Sequence, residues 1–296
     1  MENQLDLNFG QASLAVVDGN AVIHRAFHAL PPLTNKQNQP VGAVYGFFRV
    51  LFKIIREYQP THLAVAFDSP GPTFRHQAFP EYKATRIKAP KELYQQIPVI
   101  KKILKSMQVP VLEKEGLEAD DLIGSLVKGV DSQVGKLIVS GDSDLLQLVD
   151  KNTKVALLRQ GVSQYQVLGL SEVKDKYQGL APEQLIELKG LKGDSSDNIP
   201  GVPGVGDKTG RGLIKRFGSL EDIYRHLEEI PLGLRKKLTE NKEQAFLSRD
   251  LGRIKNDAPV PLELEKYRIK SYNKKEAIKL LDQMGLKVLA RDLSRT

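Results

Sequence analysis

The 296-residue chain contains no cysteine. That single absence removes disulfides, thiolate zinc sites and thiol nucleophiles together, and a reducing cytoplasm is the expected location. No segment approaches the roughly 20 apolar residues that crossing a bilayer requires. The hydrophobic share of 41% comes in short runs broken by charge, as in a soluble protein without a membrane partner. Met1 to Ser13, "MENQLDLNFGQAS", lacks the basic and apolar regions of a secretory signal and reads as a short N-terminal arm, 1–13. No GxxxxGKS/T loop is present to cradle a nucleoside triphosphate, and no GxSxG elbow presents a serine. The five histidines, His24, His28, His62, His76 and His226, lack zinc-like spacing and read as surface or packing residues.

Negative charge is also in deficit. Lys and Arg number 44 against 36 Asp and Glu, giving a net charge of +8. Basic surface of this kind suits a polyanionic partner, because phosphate backbones release counterions to it. The excess is concentrated in residues 71–110, where eight Lys/Arg face two Glu and Phe79, Tyr82 and Tyr94 are interleaved. Basic and aromatic residues together grip a strand by phosphate pairing and base stacking.

Three short apolar runs each end on an acid: "LAVVD" (Leu14 to Asp18), "HLAVAFD" (His62 to Asp68) and "KLIVSGD" (Lys136 to Asp142). They predict buried strands of a mostly parallel sheet, with a further strand at Lys154 to Arg159. Helical patterns lie between them at Ala43–Tyr58, Ile97–Met107 and Ala119–Val130, so the fold class is α/β. Ligands of such sheets bind beyond the carboxyl ends of the strands, where Asp18, Asp68 and Asp142 gather. From about Ser171 the texture becomes all-helical, with short helices separated by Gly and Pro. The expected division is an α/β catalytic unit over 14–178, a helical unit over 179–272 and a C-terminal helix over 273–296.

One strand-terminal Asp is ordinarily a helix cap or turn residue. "GLEADDLIGSL" is different, because Glu118, Asp120 and Asp121 crowd three negative charges where a helix opens, and they repel unless a cation intervenes. "SGDSDLLQLV" adds Asp142 and Asp144, and "GDSSDN" adds Asp194 and Asp197. Nine acids in five segments exceed what capping explains. An oxygen-only set suits Mg²⁺ or Mn²⁺, and two such ions roughly 4 Å apart are a standard device for phosphodiester hydrolysis. Close by, "IPGVPGVGDKTG" has the spacing of a helix-hairpin-helix. Gly201, Gly204 and Gly206 permit a turn whose N–H groups face a phosphate, with Lys208 and Thr209 adding contacts.

The stretches "VVDGNAVIHRAFHALP", "AFDSPGPTFRHQAFPEYKATR", "GLEADDLIGSL", "SGDSDLLQL" and "GDSSDNIPGVPGVGDKTG" together resemble the 5′ nuclease domain of bacterial DNA polymerase I, within the flap endonuclease family. The resemblance runs from about Leu14 to the C-terminus. It implies a PIN-like 5′ nuclease fold and a two-metal site surrounded by Asp18, Asp68, Glu118, Asp120, Asp121, Asp142, Asp144, Asp194 and Asp197. It also implies a helical arch over about 71–110. There Arg75 is a DNA contact, Tyr82 stacks on a base, and Lys83 and Arg86 face the scissile phosphate. A K⁺ ion on hairpin carbonyls is implied by the resemblance alone. His24 stands where relatives commonly have Tyr. Gly210 and Gly212 lie in the second hairpin helix, where each costs about 1 kcal/mol relative to Ala, predicting a less rigid duplex anchor.

The expected function is therefore a structure-specific 5′ nuclease of replication and repair, acting as a monomer on 5′ flaps, nicked or gapped duplex and recessed 5′ ends. Water attacks the phosphodiester in line and leaves a 5′-phosphate and a 3′-hydroxyl. The rivals are a non-catalytic DNA-junction binder, which the full acid set opposes, and a related ribonuclease, which the hairpin and arch oppose; RNA in an RNA–DNA hybrid stays within the substrate range. The sequence leaves no room for a polymerase domain after "KKEAIKLLDQMGLKVLARDL", and a freestanding nuclease and a polymerase fragment both remain open.

Overall fold

The run "SLAVVD" makes the first strand, β1 (Ser13–Asp18), and pairs in parallel on both sides. Its side chains alternate by the two-residue period of a strand, with Ala15 and Val17 entering one apolar layer and Leu14 and Val16 the other. A strand buried on both faces reads as a continuous apolar run, which is why the sequence shows no polar alternation here. The computed structural model describes residues 12–159, 161–162, 164–269 and 274–295, so most of the expected arm lies outside the described residues.

Chain order continues with α1 (Gly19–Ala29), α2 (Gly42–Tyr58), β2 (His62–Ala66), α3 (Phe74–Ala78), α4 (Lys91–Tyr94), α5 (Ile97–Ser106), β3 (Val111–Leu112), α6 (Ala119–Gly129), β4 (Gly135–Ser140), β5 (Thr153–Leu158) and β6 (Tyr165–Leu168). The six strands lie in the order β3-β2-β1-β4-β5-β6, all parallel except the β5–β6 pair. Order reverses between β1 and β4, and the crevice at such a reversal is where α/β sheets place ligands. α1, α2 and α5 cover one face, and α6 covers the other.

The helical part comprises α7 (Leu170–Lys176), α8 (Leu185–Lys192), α9 (Asp207–Phe217), α10 (Leu220–Arg225), α11 (Leu232–Glu240) and α12 (Lys242–Gly252), with its own apolar centre around Leu188, Leu191, Ile214, Leu220 and Leu238. α13 (Lys274–Gln283) and α14 (Lys287–Arg295) then return to the sheet unit. In place of one C-terminal helix there are two, broken around Gly285 at φ +75°. Their Leu281, Leu289 and Leu293 join the core formed by α2 and α5.

Two further expectations change. The arch expected over 71–110 includes α5, but Ile100, Ile103 and Leu104 of that helix are fully buried in the sheet unit, so the raised segment ends before Ile97. Gly210 is not a weak point in α9. A Cβ there would fall 2.9 Å from Leu188 Cδ1, so the missing side chain lets α9 lie close on α8.

Candidate active site and nucleic-acid interface

The first group of acids grows from the strand ends. Asp18 closes β1 and caps α1, its Oδ1 accepting from the Ala21 N–H at 2.9 Å and its Oδ2 from the Ser140 hydroxyl at 2.6 Å. The same Ser140 oxygen accepts from the Asp142 N–H at 2.9 Å, so one hydroxyl at the end of β4 couples both strand ends. Asp68 follows β2 and accepts from the Ala119 N–H at 2.8 Å, at the mouth of α6. Glu118 is the residue before α6 and Asp120 lies in its first turn. Burial pushes the Asp18 carboxyl up to about 7, against its two hydrogen bonds and helped by Asp68 and Asp142. Burial, then Asp18, Asp142 and Glu118, drives Asp120 well above the carboxylate range. Negative charge here is crowded beyond what water relieves.

The second group is assembled from distant segments. Asp144, Asp194 and Asp197 each offer a carboxylate oxygen within 4.8 Å of the others. Asp144 opens the single-turn helix Asp144–Leu148, and the other two come from the loop after α8. That loop is sharp because Gly193 and Gly201, at φ +71° and +64°, lie back to back; a Cβ on Gly201 would fall 2.2 Å from the Gly193 nitrogen. Lys189 of α8, only 8% exposed, reaches between the acids and donates to Asp144 Oδ2 and, at 2.8 Å, to Asp194 Oδ2. Although burial opposes it, Lys189 holds Asp194 down at about 2, whereas burial outweighs Lys189 at Asp144 and lifts it to about 6.

Lys83 and Arg86 meet both groups from the raised segment. Lys83 Nζ lies 2.9 Å from Glu118 Oε2, and Arg86 pairs with Asp197 Oδ1. Lys83 adopts the left-handed backbone conformation at φ +57°, and its N–H donates to the Asp197 carbonyl at 2.9 Å, which fixes the turn that aims both cations at the acids.

Three residues sit elsewhere than expected. Asp121 is fully buried and both its oxygens are taken by Arg75, at 2.8 Å each, so it does not face the cluster. Arg75 is 2% exposed and cannot touch DNA; it also donates to the Leu251 and Arg253 carbonyls, tying α3, α6 and the end of α12 together. Tyr82 is 3% exposed, packed with Ile199 and Leu251, and its hydroxyl donates to Glu118 at 3.2 Å and to Asp197 at 3.4 Å. No face of its ring is free for a base. Sequence shows a basic-aromatic segment but not which side of it is buried.

In the hairpin, Gly204, Gly206, Lys208 and Thr209 are all exposed. Gly201 is buried and its N–H donates to Ser248 Oγ at 3.0 Å, so it builds the turn instead of facing a ligand. Two cationic features carry no signal in the sequence. A Cβ on Gly204 would fall 2.5 Å from Lys237 Nζ, so Lys237 of α11 lies over the hairpin tip. A groove of about 630 Å³ beside Asp142 is lined by His24, Arg25, His28 and Arg159. His24 and His28 rings lie 6.3 Å apart there, and burial, then His28, lowers the His24 pKa.

Of the nine acids, eight converge on one crevice. Among the described residues, the cations that pair with the nine are four: Arg75, Lys83, Arg86 and Lys189. The imbalance, the hard oxygen donors and the 4.8 Å triad fit divalent cations.

Two family models match in tandem: the N-terminal resolvase-like domain of 5′-3′ exonucleases over 13–178 and the C-terminal SAM fold of 5′-3′ exonucleases over 180–275. The chain is 43% identical to DNA polymerase I of Bacillus subtilis, over 95% of this chain and 32% of that protein. It is 40% identical to DNA polymerase I of Pseudomonas aeruginosa, over 96% of this chain and 32% of that protein. It thus spans about a third of the length of the curated relatives it matches. In fold it is similar to the T5 D15 protein co-crystallised with metal ions, with a TM-score of 0.68 at 20% identity over 96% of this chain and 98% of that one. The catalytic core of Rad2 in complex with DNA substrate gives 0.65 at 17% identity, over 98% of this chain and 94% of that one.

Proposed function

Since the chain belongs to the 5′-3′ exonuclease family of metal-dependent nucleases, we propose that it cuts DNA at 5′ flaps, nicks and recessed 5′ ends, using two Mg²⁺ or Mn²⁺ ions, as a cytoplasmic monomer. The observation that carries this reading is the convergence of Asp144 with Asp194 and Asp197, from segments about fifty residues apart, beside a hairpin with exposed glycines.

In this reading the sheet unit performs the chemistry and the helical unit holds duplex. Divalent ions, when bound, neutralise the acids and the charge that builds on the phosphate. Asp18, Glu118, Asp120 and Asp142 would hold one ion, and Asp144, Asp194 and Asp197 the other, with Asp68 completing the wall. Lys83 and Arg86 turn from Glu118 and Asp197 to the scissile phosphate, where two cations stabilise charge on its oxygens while water attacks in line. Products are a 5′-phosphate and a 3′-hydroxyl. Gly204, Gly206, Lys208, Thr209 and Lys237 contact the phosphate backbone of the duplex without reading bases. A K⁺ ion at the hairpin carbonyls belongs to the same reading.

The test is cleavage of a 5′-labelled flap duplex and its flapless equivalent, in Mg²⁺ and in EDTA, with an RNA-flap substrate alongside. Metal-dependent release of the flap in one piece is the expected result. Tight binding without cutting in either Mg²⁺ or Mn²⁺ would leave a junction-binding protein instead.

A further inference from the structure

Lys189 is a buried ammonium paired with two carboxylates of the site, and the mechanism above gives it no task. It enters from α8 between Asp144 and Asp194, two of the three residues whose oxygens lie within 4.8 Å of one another. Its position is built, not incidental. A Cβ on Gly252, the last residue of α12, would fall 2.4 Å from Lys189 Cδ and 3.1 Å from its Cγ, so the absent side chain is the channel for the lysine stem. α12 is anchored there by Gln147, whose Nε2 donates to the Gly252 carbonyl at 3.0 Å and whose Oε1 accepts from the Ile254 N–H at 3.0 Å.

We propose that Lys189 is a resident counter-ion for the second carboxylate group, whose ammonium leaves when a divalent cation binds there. This rests on the two-ion reading above. Three close carboxylates without a cation repel, and an ammonium on a four-carbon stem satisfies two of them yet can withdraw along its own channel. Because the same oxygens cannot serve both cations, the lysine weakens binding of the second ion and keeps the loop of Asp194 and Asp197 folded without it. In the first group only Glu118 has cationic partners, Lys83 at 2.9 Å and Arg75 at 3.4 Å, and among the described residues no ion pair reaches Asp18, Asp68, Asp120 or Asp142. The two ions should therefore bind with unequal affinity, the second being the weaker.

The test uses the wild-type chain without DNA. Calorimetric titration with Mn²⁺ counts the ions bound, and amine labelling followed by mass spectrometry reads the accessibility of each lysine in EDTA and in saturating Mn²⁺. Two ions bound with a several-fold rise in Lys189 labelling, other buried lysines such as Lys136 unchanged, is the expected result. Lys189→Met should then tighten the weaker ion by about tenfold or more, the scale of one charge-assisted hydrogen bond. Gly252→Ala, which crowds the stem without altering charge, should shift affinity in the same direction. Two ions bound with Lys189 equally protected would overturn the release. One ion bound with Lys189 protected would make the lysine a permanent second cation, also overturning it. No ion bound at all would remove the metal reading of the site itself.

Discussion

The two carboxylate groups solve one problem in different ways. In the first, Asp18, Asp68 and Asp142 are held by neutral donors, the backbone N–H groups and the Ser140 hydroxyl, with a cation only at Glu118, and burial followed by like charge raises Asp18 and Asp120. In the second, Lys189 and Arg86 supply positive charge directly. The first is rigid because it is grown on strand ends. The second is assembled by tertiary contact and brings its own cations. Most of the first group is thus left without a cationic partner, whereas the second is compensated from within the chain.

The strongest break of this comparison is at the chemistry. Asp142→Asn should slow flap cleavage by about a thousandfold or more while leaving flap-duplex affinity within a few-fold, because it removes charge from the strained group only; single-turnover rates and a binding titration read both. Next, Arg75→Met should cost roughly 3–5 kcal/mol in urea denaturation, because it strands the buried Asp121 carboxylate. The contrast itself is sharpest in metal-free melting. Asp120→Asn should stabilise the chain in EDTA by about 1 kcal/mol, relieving repulsion, whereas Asp194→Asn should destabilise it by about 1–3 kcal/mol, leaving Lys189 short of a partner. Equal signs for the two would dissolve the distinction.

Smaller effects lie outside the acids. Lys237→Ala should weaken duplex binding uniformly and reduce the slope of log affinity against log salt by about one. His62, 3% exposed with no partner at Nε2, supplies a reference far from the acids. Burial, with Arg268 adding, lowers its pKa below 6.5, against Ser13 and Glu265. The folded state therefore binds fewer protons, so its contribution is complete above pH 6.5 and lost as pH falls through the depressed value. Denaturation at pH 5 and 7.5 should show less than about 1 kcal/mol of this, absent in His62→Gln.

Much of the molecule is legible in the order of its amino acids. Buried parallel strands announce themselves as apolar runs, and their terminal acids locate the crevice. Strands as short as Val111–Leu112 carry no periodicity, and β6 pairs only through its edge position. Direction of burial is the larger gap. Arg75, Tyr82 and Asp121 have the residue types of a working surface, yet they form the floor beneath one, which only the packing of α12 decides. Lys189 in "LIELKGLK" looks like an ordinary solvated helix residue, and the glycine that houses it is 63 positions further along.

The Arg75 junction also has a meaning in time. Its guanidinium joins residues 46, 176 and 178 positions apart, and all nine acids have been synthesised by Asp197, well before Leu251 and Arg253 emerge. A growing chain therefore holds all nine acids before the two carbonyls that anchor Arg75 exist. The Arg75 junction thus closes only once the end of α12 is made, and a polypeptide ended at Glu240 should not cut in a flap assay.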